Sequence, residues 1–150
     1  MSMYFVDRKK IEEQLVYFDK MIVLMKESSF QTELHFLGLE RIHHVVIESM
    51  IDVGNSIIDG FIMRDPGSYE DIIEILADEK VISTENTIML KEVVGMRKPL
   101  MQQYVMLDHE ALEQNLRKNL SALEQFPTDI RTYLNQELGA VSAFLPDNKD

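Results

Sequence analysis

Arginine, glutamine and tyrosine stand at Arg97, Gln102 and Tyr104 within MRKPLMQQY, a polar insertion in an otherwise apolar segment. A guanidinium can hold a phosphate through paired hydrogen bonds, and an amide can orient a phosphate or a water beside it. Glutamine does not titrate near neutral pH, so it cannot carry protons in the way a histidine does. Spacing qualifies the set. Arg97 and Tyr104 are seven residues apart, almost two turns, and share a face of a continuous helix. Gln102 would point about 140° away from Arg97. Pro99 lies between them and is tolerated in a helix only in its first turn, so a kink or a restart is expected near Arg97 or Lys98. Such a bend could expose polar groups suited to a phosphate. A kinked helix carrying an ordinary surface arginine uses the same residues.

A second constellation is Glu48, Asp52 and Asn55 in VVIESMIDVGNSIIDG. Steps of four and three place all three along one face of a helix. Two carboxylates one turn apart suit a metal ion, acid/base work, or a polar network that orients an arginine from a neighbouring helix. The network is the favoured reading, because no histidines at a metal-binding interval accompany them. His43 and His44 are adjacent and point in different directions, and with His35 they read as surface or partly satisfied residues. His109 follows the possible cap Asp108 and is a weaker candidate for a general base. Neither a metal nor a cofactor is expected.

The elements that must position these groups are helices. Ile11, Leu15, Phe18, Ile22 and Met25 recur at helical steps after Asp7, which can cap them. SSFQ breaks this run. The next extends from about Thr32 to Met63, with a broad apolar stripe and with Gly38 and Gly54 permitting close approach of a neighbour. RDPGS is a firm turn, and Ser68 with Asp71 forms an imperfect capping box for a short helix ending near Lys80. Ser83 or Thr84 can cap a third long run whose apolar positions continue to Leu107. Asp108 can start another helix, Pro127 should separate it from a last one at Asp129 to Leu138, and Gly139 should cap that. The class is all-α, an antiparallel bundle. Apolar residues on several faces of the second and third runs suggest a homodimer formed through these central helices; a thicker monomeric core could use them as well.

Bulk properties narrow the function. The chain has 150 residues, enough for one core, with 45% apolar and 27% charged residues as in an ordinary globular protein. No signal peptide or membrane span is legible, and the absence of cysteine excludes disulfides and thiolate chemistry. A cytoplasmic location is expected. With 26 acidic and 15 basic residues the net charge is -11, which argues against broad nonspecific nucleic-acid binding. A small local RNA site, a basic protein partner, or simply a well-solvated surface is compatible with it.

Three stretches then carry a resemblance: ERIHHVVIESMIDVGNSIIDGF, MRDPGSYEDIIEILADEKVI and GMRKPLMQQYVMLD, in that order. They resemble the HepT-like family of the HEPN superfamily, most closely its YutE-like bacterial members, over about residues 3–145. The resemblance implies a single all-α domain over 1–145 that homodimerises, with 146–150 as a loose tail. It also implies a metal-independent endoribonuclease, the toxin of a pair whose antitoxin is a minimal nucleotidyltransferase. The family signature is an arginine, four to six residues, a histidine, and a tyrosine two positions later. Arg97 matches the arginine and Tyr104 the tyrosine, the residue that the antitoxin adenylylates. Gln102 occupies the histidine position, so the resemblance leaves phosphate binding in place and removes the proton carrier.

Overall fold

The computed structural model describes residues 6–142, and every regular element among them is helical. The chain runs through α1 (Arg8–Glu27), α2 (Glu33–Gly60), α3 (Tyr69–Asp78), a 3-10 turn at Thr84–Asn86, α4 (Thr87–Val94), α5 (Arg97–Gln102), α6 (His109–Lys118) and α7 (Leu120–Ser142). The tail expected at 146–150 lies outside the described residues.

Short polar side chains start the helices. Asp7, Thr32, Ser68 and Asp108 each accept a hydrogen bond from the backbone N–H three residues on, at 3.0 to 3.2 Å, satisfying one otherwise unpaired donor per helix. Asp71 reaches back from the first turn of α3 to Gly67 N–H at 2.8 Å and takes both Nη nitrogens of Arg64 at 2.7 and 2.9 Å. These bonds close the RDPGS turn. The Arg64 guanidinium and then Gly67 N–H hold the Asp71 carboxyl down at about 2. The ends of α2 and α3 carry left-handed residues that are not glycine, Ile62 at φ 55° and Lys80 at φ 62°.

α2 is the hub, packed against α1, α3, α4, α5 and α6. Leu39, Val46, Ile47, Met50, Val53 and Ile57 along it are fully buried. The apolar positions that suggested a dimer are thus largely consumed within one chain. The apolar side chains that remain exposed on α2 lie at its N-terminal end, Leu34 76% and Leu37 59% exposed. Gly54 has the close neighbour expected of it, since a Cβ there would collide with the Ile72 Cγ2 methyl; Gly38 faces open space.

The restart expected near Arg97 is present: the third long run breaks after Val94, and α5 begins at Arg97 with Pro99 in its first turn, where no N–H is needed. Two later boundaries differ from the sequence reading. Pro127 does not separate two helices: it is buried inside α7, and the break falls at Asn119 instead. There the Asn119 amide donates to Asn115 O at 2.8 Å and Glu92 Oε1 at 2.9 Å, which fixes the α6–α7 corner. Gly139 caps nothing, because α7 continues to Ser142.

Of the two roles expected for His43, surface or partly satisfied, it takes the second, and it is fully buried. Its Nε2 donates to Asn115 Oδ1 at 2.9 Å, Asn115 donates to Glu92 O at 3.2 Å, and His43 Nδ1 has no partner. Burial pushes the imidazole down to about 4, so it is neutral in the fold. The unfolded chain therefore binds the extra proton between pH 6.5 and 4. Stability is full above that window and falls by about 3 kcal/mol as pH drops through it. Urea unfolding as a function of pH should show this loss, and His43→Gln, which can still donate to Asn115, should flatten it. Gly54→Ala should lower stability by about 1–2 kcal/mol, overpacking against Ile72 outweighing the gain in helix propensity; the urea midpoint measures it.

Candidate functional site

Restarting the helix at Arg97 is what aims its side chain. As the first residue of α5, Arg97 lies across the outward face of α2, and its Nε donates to Glu48 Oε2 at 2.8 Å. The guanidinium also sits over the Tyr69 ring, 4.4 Å from its centroid. Carboxylate and ring together fix a long side chain that would otherwise sample many rotamers. The hydrogen bond to Glu48 raises the Arg97 pKa further above its ordinary value. Nε is spent in this arrangement, while neither Nη nitrogen has a hydrogen bond to another described residue. Two parallel donors are thus left for a bidentate anion such as a phosphate.

Of the second constellation, Glu48 alone contacts the arginine. Asp52, one turn on, faces solvent. Partial desolvation, and then the charge of Glu48, hold its carboxyl above the ordinary carboxylate range, with Lys10 opposing. Asn55, half-buried, lines a surface cavity with Tyr69. Among the described residues no group of three or more histidine, cysteine or carboxylate side chains is placed to hold a metal ion.

Gln102 is the last residue of α5 and is exposed. The rise over five residues separates it from Arg97 by about 8 Å along the axis. Tyr104 lies beyond the helix, 69% exposed, in a turn closed by Gln103 N–H to Pro99 O at 2.8 Å and Met106 N–H to Gln103 O at 3.0 Å. The shared helical face expected for Arg97 and Tyr104 therefore does not exist, because the helix stops two residues short of the tyrosine. An exposed phenol on a turn is accessible to a modifying enzyme. His109 is engaged elsewhere: Nε2 bonds Glu40 Oε2 at 2.6 Å, and the ring stacks on Phe36 at 4.8 Å. Glu40 lies two turns before Glu48 on α2, about 12 Å away along its axis, so this pair is remote from Arg97 within one chain.

Sequence reasoning missed Tyr69 and Glu40. Tyr69 stands at the start of α3 just after its Ser68 cap, and nothing in its spacing links it to Arg97. A carboxylate at Glu40, on the same helix as Glu48, was the only signal for a partner to His109.

The chain and its fold are similar to those of known proteins. The family model "Ribonuclease HepT-like" matches residues 11–130. The chain is 48% identical over 143 residues to "Putative RNase YutE" of Bacillus subtilis (strain 168), covering 95% of this chain and 99% of that protein. The solved structure of the cytosolic protein YutE from Bacillus subtilis superimposes with a TM-score of 0.88 at 47% identity, covering 91% of this chain and 96% of that one. A chain in a crystal structure of a toxin–antitoxin with AMP-PNP has a TM-score of 0.73 at 21% identity, covering 81% and 97%, and shares the fold.

The Glu48–Arg97 contact is half-exposed, so its coupling should be modest. A double-mutant cycle of Glu48→Ala and Arg97→Ala, read by urea unfolding, should return about 0.5–1 kcal/mol.

Proposed function

Because the chain belongs to the Ribonuclease HepT-like family, we propose that it is a HepT-like toxin component, an endoribonuclease whose phosphate site is Arg97. The single observation that carries this reading is the posture of that side chain, pinned through Nε and its ring contact with both Nη donors open. In the proposed reaction Arg97 holds the scissile phosphate and offsets charge as the 2′-oxygen attacks phosphorus and the 5′-oxygen leaves. Glu48 and Tyr69 act through Arg97 as positioning residues. Gln102 orients the phosphate or a water. The 2′-hydroxyl proton passes to water and the leaving oxygen takes its proton from water, which makes cleavage slow.

Partners follow from the same reading. Tyr104, at 69% exposure, is the acceptor for adenylylation by a minimal nucleotidyltransferase antitoxin. Two copies of the domain over 1–145 associate, using the outward face of α2 and the exposed Met101, Val105 and Met106 beside the site, so that their arginines face a common cleft. No helix among the described residues is long and apolar enough to cross a membrane, and the proposed setting is the cytoplasm.

A second reading is favoured by Gln102 itself: a non-catalytic helical dimer that binds or regulates a nucleotidyltransferase or another protein. One assay separates the two. Purified wild type should cleave RNA slowly, Arg97→Ala should abolish cleavage, and Gln102→His should accelerate it by about 10²–10⁴-fold. Cleavage by Gln102→His alone would favour the second reading, with the scaffold intact and the acid/base group missing. No cleavage by either protein would overturn the nuclease reading.

A further inference from the structure

Tyr69 meets Arg97 and also walls a cavity of about 410 Å³ at the junction of α2 and α3. Asn55 contributes from α2, Gly67 from the turn, and Tyr69, Glu70 and Ile72 from the first turns of α3. Much of the local polar capacity is already used. Ser68 Oγ accepts from Asp71 N–H, and Gly67 N–H donates to the Asp71 carboxylate. Three resources remain among its lining residues. Tyr69 as a residue remains 44% exposed despite the guanidinium over its ring. The Asn55 amide, one donor and one acceptor side, has no hydrogen bond to another described residue. Glu70 adds an acceptor-only carboxylate that extends toward the corner between α4 and α5, where a Cβ on Gly95 would lie 3.7 Å from its Oε2.

A flat aromatic surface, an amide and a carboxylate acceptor, beside a bidentate anion site, match a nucleobase next to its phosphate. Single-stranded RNA is read in this way, by stacking on aromatic rings and by hydrogen bonds to the edges of unstacked bases. We propose that the Asn55–Tyr69–Glu70 cavity is a base-binding subsite that takes the nucleobase adjoining the phosphate held by Arg97. The carboxylate makes it selective: adenine, cytosine and guanine offer an exocyclic amine to Glu70, whereas uracil has none and offers a single N3–H between two carbonyls, so it is disfavoured. A second phosphate is excluded by the same charge. The adjoining phosphate rests on the Arg97 reading given above; the cavity itself does not.

The test titrates the full chain with the four nucleosides and with their 5′-monophosphates, following backbone and Asn amide signals by NMR. Adenosine, cytidine and guanosine should shift Asn55 and Gly67, with uridine binding more weakly. Asn55→Ala and Tyr69→Leu should each cost about tenfold in nucleoside affinity, and Glu70→Gln should erase the discrimination against uridine. In wild type each monophosphate should bind more tightly than its nucleoside, and Arg97→Ala should remove that advantage. If nucleosides leave Asn55 and Gly67 unshifted, or Asn55→Ala binds them as wild type does, the subsite is overturned even where Arg97 still favours the monophosphates. If nucleosides bind but the monophosphates gain nothing from Arg97, the phosphate reading fails and the subsite stands.

Discussion

A helix of 28 residues with apolar side chains around most of its circumference cannot stand in water. Covering α2 is the constraint from which the rest of the structure follows. α1 folds back along it, α3 packs on Gly54, and α4 and α6 close the far side. The one strip left uncovered carries Leu34, Leu37, Arg41, Asp52 and the half-buried His44, Glu48 and Asn55. The candidate site is built on that strip. Core and site are opposite faces of the same element, and a residue shift of α2 against its neighbours would move both.

The core is not wholly apolar. His43, Asn115 and Asn119 join α2, α4, α6 and the start of α7 through side-chain bonds that end on Glu92. Such bonds add little net stability but are costly to leave unmade, so they select one arrangement of four helices over others of equal apolar area. Lys118 and Asn119 together hold the Glu92 carboxyl below its ordinary range, the amide contributing most. The network therefore begins at a neutral imidazole in the interior and ends at a charge in solvent.

The parts legible in the sequence are those set by local rules. Helical spacing located α1 and α2, and Asp7, Ser68 and Asp108 marked starts because a capping oxygen must precede the first unpaired N–H groups. Pro99 announced a restart for the same reason. The ends were harder to read. Ile62 and Lys80 occupy left-handed positions where glycine would be the expected signal, and Pro127 is carried inside α7 by the packing around it. At the site, Arg97, Gln102 and Glu48 stood out by residue type and spacing. Tyr69 and Glu40 did not, because their roles arise from contacts between helices far apart in sequence. The placement of Tyr104 beyond the end of α5 depended on where that helix stops.

The bond between Glu48 and Arg97 also has a kinetic consequence. It pairs the site's cation with an anion, and Asp52 and Glu70 lie close by, so little positive field extends into solvent. The chain as a whole carries -11. A polyanion approaching it is repelled until it is within contact distance, where the Nη donors can act. Added salt shortens the reach of that repulsion from about 10 Å at 0.1 M to about 3 Å at 1 M. If RNA is the substrate, as proposed, its encounter should therefore quicken as salt is raised, the reverse of the behaviour of basic nucleic-acid binders. On the proposed function, Glu48 would make Arg97 a short-range reader of a phosphate already delivered, with delivery left to whatever brings the strand to it.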